Sequence, residues 1–81
     1  MKLPRDVGGQ QLASLLTRYG YRETNRTGSH IRLTTTSNGP EHHLTVPAHD
    51  PVKVGTLNGI INDLASYLKR DKQALIKELF G

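Results

Sequence analysis

The sequence predicts an α+β domain in which three antiparallel strands form a sheet and helices cover one of its faces, in the order α-β-β-β-α-α. Apolar residues recur with a helical period near both ends of the chain, whereas the middle alternates between apolar and polar residues. The turns between the alternating stretches are too short for the crossovers that parallel strands require. Because a three-stranded sheet needs one face buried, we expect the helices to pack there within a single domain spanning residues 1–81.

The first helix is predicted from four apolar residues with the spacing i, i+3, i+4 and i+7: Leu12, Leu15, Leu16 and Tyr19. Gly20 follows this stripe and is expected to end the helix. The start is less clearly marked, since Asp6 is a good capping residue whereas Gly8-Gly9 favours a loose first turn.

Three strands are predicted after this helix. The first covers Tyr21 to Thr27 and is mostly polar, and Gly28-Ser29 then forms a two-residue hairpin turn with glycine first. The second strand, residues 30–36, alternates and is rich in β-branched residues. A second turn is expected at Ser37-Asn38-Gly39-Pro40, and the third strand runs from His42 to Val46 and stops at the next proline.

Two further helices are predicted after a loop over residues 47–55. The first is the clearest amphipathic stretch in the chain, with its stripe at Leu57, Ile60, Ile61, Leu64 and Leu68. Gly59 within it lowers helix propensity by about 1 kcal/mol relative to alanine. Asp71 is a good N-cap for a last short helix that carries Leu75, Ile76 and Leu79.

Charge is distributed unevenly along the chain. Lysine and arginine together number 11 against 7 acidic residues, and the net charge is +4. The whole excess lies in residues 1–32, because the basic and acidic groups of residues 33–81 balance. Such asymmetry favours a polyanionic partner, although a basic surface kept for solubility is the ordinary alternative.

Composition excludes several classes of site. The chain has no cysteine, which excludes disulfides, a thiolate nucleophile and the usual structural zinc sites. It has neither a Gly-x-Ser-x-Gly elbow nor a Gly-x-x-x-x-Gly-Lys phosphate loop. Its beginning lacks the apolar run of a signal peptide, and no apolar stretch approaches the roughly 20 residues that cross a bilayer. We therefore expect a cytoplasmic protein with no membrane partner and no cofactor.

The alternation of the strands predicts which polar side chains share the open face of the sheet. Ile31 and Leu33 must face the helices, because they have nowhere else to be buried. By the same parity, five polar side chains of the second and third strands face outward: His30, Arg32, Thr34, His43 and Thr45.

Some members of this set are suited to cleaving RNA without a metal, whereas His43 is assigned no role. His30 can take the proton from a 2′-hydroxyl group, since histidine titrates near neutral pH. Arg32 and Arg26 can hold phosphate, and the Gly28-Ser29 turn lets a phosphate approach the backbone. Lys53, near the start of the best helix, is a further candidate for a phosphate oxygen, although a solvated lysine is the more ordinary interpretation.

A metal site is not expected. His42 and His43 are adjacent, so on a strand they point to opposite faces and cannot readily hold one ion. His49 lies in a loop and could turn toward either. No His-Glu-x-x-His helix is present.

The sequence resembles the HicA toxin family over nearly its whole length. The resemblance is carried, in order, by Lys2-Leu3-Pro4, Tyr19-Gly20-Tyr21, Gly28-Ser29-His30, Leu44-Thr45-Val46-Pro47-Ala48-His49, Gly55-Thr56-Leu57 and Ile60-Ile61. Two stretches depart from the family pattern. The helix start Gly8-Gly9-Gln10-Gln11 puts local helix stability in doubt, and the first strand is more polar than the family would suggest.

The resemblance implies a fold like that of a double-stranded-RNA-binding domain and a ribonuclease toxin that cuts messenger RNA and halts translation. It also implies a HicB-like antitoxin that neutralises the toxin by binding, in a toxin–antitoxin hetero-oligomer. The catalytic histidine of the family is the one in the Gly-Ser-His step, here His30. We expect the antitoxin to cover this residue.

Two other functions stay open at this point. One is a module that grips double-stranded RNA by shape and performs no chemistry. The other is an interaction protein that docks a partner through its sheet or helices and has no affinity for RNA. The first would bind RNA in a salt-sensitive manner without forming a product, and the second would not bind it at all.

Overall fold

The computed structural model describes residues 3–37 and 39–81. Its elements, in chain order, are α1 Gly9–Leu16, a short 3₁₀ turn Thr17–Tyr19, β1 Arg22–Thr27, β2 His30–Thr35, β3 His42–Pro47, α2 Val54–Leu68 and α3 Lys72–Phe80. The strands form one antiparallel sheet with β2 in the centre. The predicted fold class and element order are confirmed.

Helix α1 begins differently from the expectation. Its N-cap residue is Gly8, which makes no side-chain capping bond, so of the two signals at the helix start Asp6 does not supply the cap. The first N–H is instead satisfied from a distant part of the chain, because Gly9 donates to the carbonyl oxygen of His49 over 2.8 Å. At the other end the last turn tightens to 3₁₀ geometry, and Gly20 ends it in the left-handed conformation as predicted.

The hairpin between β1 and β2 has the predicted two-residue turn. Gly28 adopts a φ of +54°, the positive value that a tight hairpin turn requires at its first position. Thr27 lies opposite His30, and a β-bulge interrupts the pairing between Glu23 and Asn25. Every residue of β1 is exposed, as its polar sequence predicts for an edge strand.

The second hairpin agrees with the prediction where it is described. Strand β2 ends at Thr35, one residue earlier than expected, and β3 extends by one residue to include Pro47, which lies opposite His30. A proline is tolerated there because β3 is an edge strand. The predicted turn at residues 37–40 includes Asn38, and the opening motif of the family resemblance includes Lys2; both residues lie outside the described part of the chain.

The core lies between the sheet and the helices. The apolar residues of β2 and β3 at the predicted inward positions are at most 3% exposed, namely Ile31, Leu33, Leu44 and Val46. The buried face of α2 consists of Leu57, Ile60, Ile61 and Leu64. This helix begins at Val54, within the predicted loop. None of the described helices is long and apolar enough to cross a membrane.

Helix α3 is fixed at both of its ends. The Asp71 carboxylate accepts a hydrogen bond from the Ala74 N–H over 3.0 Å, so the predicted N-cap is confirmed. Near the other end, the Glu78 carboxylate accepts hydrogen bonds from the Tyr19 hydroxyl and the Arg70 guanidinium, each over 2.7 Å. These contacts connect α3 to the end of the first helix and to the α2–α3 connection.

Candidate nucleic-acid interface

The face of the sheet opposite the helices carries the predicted polar row. His30 and Arg32 are exposed, whereas Ile31 between them is fully buried, so the predicted alternation is confirmed. Pairing with the neighbouring strand places Thr45 opposite Arg32 and His43 opposite Thr34. The open face therefore presents imidazole, guanidinium and hydroxyl groups side by side.

His30 also lines a pocket at the end of the sheet. The pocket has a volume of about 360 Å³ and is lined by His30, Thr45, Pro47, His49, Lys53 and Thr56. The pocket brings together two of the predicted site residues, His30 and Lys53. It also contains His49, for which the sequence predicted no role. Three nitrogen-bearing side chains that can carry positive charge thus surround one solvent-accessible hollow.

Backbone hydrogen bonds hold this pocket in place. The Ala48 N–H donates to the carbonyl oxygen of Ser29, which joins the segment after β3 to the β1–β2 turn. The carbonyl oxygen of His49 accepts from Gly9, and the Val52 N–H donates to the carbonyl oxygen of Val7 over 2.7 Å. The segment over residues 48–52 is therefore tied to the hairpin turn on one side and to the start of α1 on the other.

The Gly28-Ser29 turn lies beside His30 and is open to solvent. A Cβ placed on Gly28 would meet no atom within 4 Å, so the glycine is needed for its backbone conformation and not for lack of space. Ser29 is exposed and its carbonyl oxygen is engaged by Ala48. Phosphate binding by this turn stays a prediction.

Arg32 and Arg26 lie in different places. Among the described residues the Arg32 guanidinium makes no hydrogen bond or ion pair, and it projects from the open face. Arg26 lies opposite Ile31 and therefore belongs to the side of the sheet that the helices cover. Its guanidinium donates to the Glu23 carboxylate over 2.8 Å and to the Gln10 side chain over 2.7 Å. The structure thus does not bring Arg26 together with His30 and Arg32.

The remaining strand histidines are engaged elsewhere. His43 shares a hydrogen bond of 2.9 Å with the Thr34 hydroxyl and lies 3.5 Å from the Glu41 carboxylate, at the far end of the open face. His42 is half-buried on the opposite face, hydrogen-bonded to the Tyr21 hydroxyl over 2.8 Å. The prediction that these neighbours point to opposite faces is confirmed. Across residues 3–37 and 39–81, no three histidine or carboxylate side chains are grouped so that they could hold a metal ion.

A larger hollow of about 740 Å³ lies at the far end of the sheet, away from His30. Its lining contains one arginine, Arg22, against two carboxylates, Glu23 and Glu41. Burial raises the pKa of the Tyr21 phenol in this lining to about 12, with smaller contributions from Tyr67 and Asp63, so the phenol stays neutral. This mixture of charges is poorly suited to a polyanion, which favours the smaller pocket at His30 as the site.

The fold and the surface together define a small α+β domain whose open sheet face carries basic side chains. The comparison with protein families identifies the family to which this domain belongs. A family model described as the HicA toxin of bacterial toxin–antitoxin matches residues 9–65, which is 57 of the 81 residues. The chain belongs to the HicA toxin family. The element order fits a fold like that of double-stranded-RNA-binding domains. The matched segment contains every lining residue of the His30 pocket, whereas α3 lies outside it. Neither a curated protein nor a solved structure gives a match.

Proposed function

We propose that this toxin is a metal-independent endoribonuclease that cleaves messenger RNA and thereby inhibits translation, with His30 as the catalytic base. The observation that carries the proposal is the position of the His30 imidazole, which is exposed on the open sheet face and lines a pocket together with His49 and Lys53. RNA brings its own nucleophile, the 2′-hydroxyl group, so cleavage requires proton transfer and stabilisation of the phosphate charge.

The proposed reaction begins when His30 takes the proton from the 2′-hydroxyl group. The oxygen then attacks the adjacent phosphorus, the bond to the 5′-oxygen breaks, and the products carry a 2′,3′-cyclic phosphate and a 5′-hydroxyl group. Arg32 projects from the same face two residues along β2 and is available to bind a neighbouring phosphate. Lys53 lies in the same pocket as His30, where its ammonium group can neutralise a phosphate oxygen.

Two further RNA contacts are proposed beside this centre. The exposed Gly28-Ser29 turn precedes His30 directly, so a phosphodiester bound at His30 passes close to it. Arg26 would contact RNA only where the RNA strand passes over the β1 edge of the sheet. Its guanidinium is turned to the helix side and is already bonded to Glu23 and Gln10. Its contribution is therefore proposed to be smaller than that of Arg32.

Induced expression of the parent chain and of His30→Ala tests the proposal, with growth and messenger-RNA integrity scored together. The parent is expected to arrest growth and fragment messenger RNA into pieces with 5′-hydroxyl ends, and His30→Ala is expected to do neither. His43→Ala is the matched control, because it removes an exposed imidazole from the same face far from the pocket. Cleavage by a folded His30→Ala variant, or cleavage abolished by a chelator, would contradict the proposal.

A non-catalytic module that binds double-stranded RNA is the second candidate, favoured by the fit of the element order to that fold. It predicts salt-sensitive binding without a cleaved product, and a His30→Ala variant that binds as the parent does. Incubating the purified protein with labelled single- and double-stranded RNA distinguishes the two functions, because only an endoribonuclease shortens the labelled RNA.

Membership of a toxin–antitoxin family implies an antitoxin as partner. We propose that a HicB-like protein fills this role in the cytoplasm and forms a hetero-oligomer in which it covers His30. The exposed cationic groups around His30 suit an acidic or shape-matched inhibitor that keeps RNA out. A purified complex is expected to be inactive on RNA, and a complex that keeps full nuclease activity would contradict occlusion of the site.

A further inference from the structure

The pocket at the end of the sheet contains two imidazoles from different parts of the chain. His30 comes from the first position of β2, and His49 comes from the segment that follows β3. Both residues are exposed, and both line the same hollow of about 360 Å³ together with Lys53. A hollow of this size has room for a phosphate group, and the two imidazoles line it from separate segments of the chain.

His49 is held more firmly than its position in a loop would suggest. Its carbonyl oxygen accepts from the Gly9 N–H over 2.8 Å, and its neighbour Ala48 donates to the Ser29 carbonyl oxygen in the turn just before His30. The backbone that carries His49 is thus attached to the turn that carries His30. Within the described chain the His49 imidazole itself has no hydrogen-bond partner, which leaves both ring nitrogens available.

We propose that His49 is the second catalytic residue of this toxin, the acid that protonates the leaving group; this rests on the proposed endoribonuclease function. His30 takes the proton from the 2′-hydroxyl group as the 2′-oxygen bonds to phosphorus. The bond between phosphorus and the 5′-oxygen breaks, and that oxygen receives the proton that the His49 imidazolium carried. The RNA ends with a 2′,3′-cyclic phosphate and a 5′-hydroxyl group, so one proton has entered His30 and one has left His49.

The other lining groups are less suited to this role. Lysine side chains are weak acids in general, so Lys53 is better suited to serve as a charge beside the phosphate oxygens than as a proton donor. The Thr56 hydroxyl is a hydrogen-bond donor but a far weaker acid still. An imidazole exchanges its proton near neutral pH in either direction, which is what an acid needs if it is to be recharged in each cycle.

A substrate whose leaving group needs no proton tests this role directly. We expect His49→Ala to lower the cleavage rate of ordinary RNA by about 10²–10⁴-fold, the usual contribution of a positioned acid or base. In RNA with sulfur in place of the bridging 5′-oxygen, the leaving group departs as a thiolate and needs no proton. His49→Ala should therefore cleave this RNA at nearly the parent's rate. His30→Ala should stay inactive on both substrates, because the 2′-hydroxyl group still requires a base.

Binding and folding are followed alongside the rates. Affinity for RNA carrying a 2′-O-methyl group at the cleaved position, which cannot react, is expected to change little in His49→Ala, because Lys53 and Arg32 remain. His43→Ala, the control at the far end of the open face, should match the parent on both substrates. Restored cleavage of the sulfur substrate also demonstrates that His49→Ala is folded.

Each other outcome overturns a defined part of the argument. Equal losses on both substrates in His49→Ala would give His49 a binding or structural role and overturn its assignment as the acid. Full activity of His49→Ala on ordinary RNA would remove it from the reaction and leave the function of His30 intact. If the sulfur substrate restored cleavage by His30→Ala and not by His49→Ala, the two roles would be interchanged. A parent chain that cleaves neither substrate would overturn the endoribonuclease itself.

Discussion

Gly9 lies so close to Pro47 that no side chain fits between them. A Cβ placed on Gly9 would overlap the carbonyl oxygen of Pro47. The N–H of the same glycine donates to the carbonyl oxygen of His49. The first residue of α1 is therefore in direct backbone contact with the end of β3, at the point where the chain enters the His30 pocket.

Gly9→Ala is expected to damage both stability and cleavage. The methyl group forces the segment at residues 47–49 away from α1, and such overpacking typically costs about 1–3 kcal/mol. Because that segment carries His49 and contacts the β1–β2 turn, the pocket should lose its geometry as well. Urea denaturation measures the loss of stability, and RNA cleavage below the unfolding transition measures the loss of activity.

Gly59→Ala is the matched control for this substitution. Gly59 is an exposed residue within α2, and a Cβ there would meet no atom within 4 Å. Alanine in a helix interior is favoured over glycine by about 1 kcal/mol, so this variant should be slightly more stable than the parent and equally active. If Gly9→Ala behaved like Gly59→Ala in both measurements, the close contact with Pro47 would be wrong.

The sequence predicts the positions of residues on regular strands better than those in loops. Side chains on a strand alternate between its two faces. The expected burial of Ile31 and Leu33 was therefore enough to predict that His30 and Arg32 are exposed. His49 lies in a segment without periodicity, and nothing local indicates that it shares a pocket with His30. The Gly9 contact could not be predicted either, because it depends on a backbone far along the chain.

The position of Arg26 could have been predicted in full. A two-residue turn at Gly28-Ser29 pairs Thr27 with His30 and Arg26 with Ile31, which places Arg26 on the buried side of the sheet. The bulge between Glu23 and Asn25 was not predictable, because no glycine or proline marks it. It brings Glu23 to the same side as Arg26, where the two side chains form an ion pair.

Tyr21→Phe is expected to destabilise the domain by about 1 kcal/mol without changing cleavage. The Tyr21 hydroxyl shares a hydrogen bond of 2.8 Å with His42, and His42 stacks on Tyr67 with ring centroids 4.3 Å apart. This cluster lies at the end of the sheet remote from His30. Thermal unfolding measures the loss of stability, and RNA cleavage measures the activity. In a double-mutant cycle, His42→Ala should lower the free energy of unfolding by less in the Tyr21→Phe background than in the parent. Strict additivity would show that the hydrogen bond contributes nothing.

Acid is expected to weaken the attachment of α3. Hydrogen bonds from Arg70 first and Tyr19 second hold the pKa of the Glu78 carboxyl below its usual value of 4.5. A lowered pKa in the folded state means that the contact stabilises the protein above the ordinary pKa and is lost as the pH falls through the lowered one. At the alkaline end, burial, aided by the hydrogen bond to Glu78, raises the Tyr19 pKa from 10.0 to about 12, so its contribution is lost as the pH rises through that value.

Glu78→Gln isolates the acid effect, because glutamine still accepts the bond from Tyr19 but carries no charge for Arg70. The difference in melting temperature between parent and variant should be largest near neutral pH and should vanish well below the ordinary glutamate pKa. The effect is expected to be modest, since the Arg70–Glu78 pair is exposed to solvent. A difference that stayed constant through the acid range would exclude ionisation of Glu78 as its cause.

Arg32 and Arg26 provide a comparison that reveals which side of the sheet RNA occupies. If RNA lies on the open face, Arg32→Gln should lower affinity for uncleavable RNA and reduce the salt dependence of binding by about 0.7 in the slope of log K against log salt, the value for one phosphate contact on a single strand. Arg26→Gln should change that slope less, because the Arg26 guanidinium is held by Glu23 and Gln10 on the other side. Both variants exchange one exposed arginine for glutamine in adjacent strands, so net charge is matched. A larger loss for Arg26→Gln would mean that RNA approaches along the helix side of the β1 edge, away from the face that presents His30.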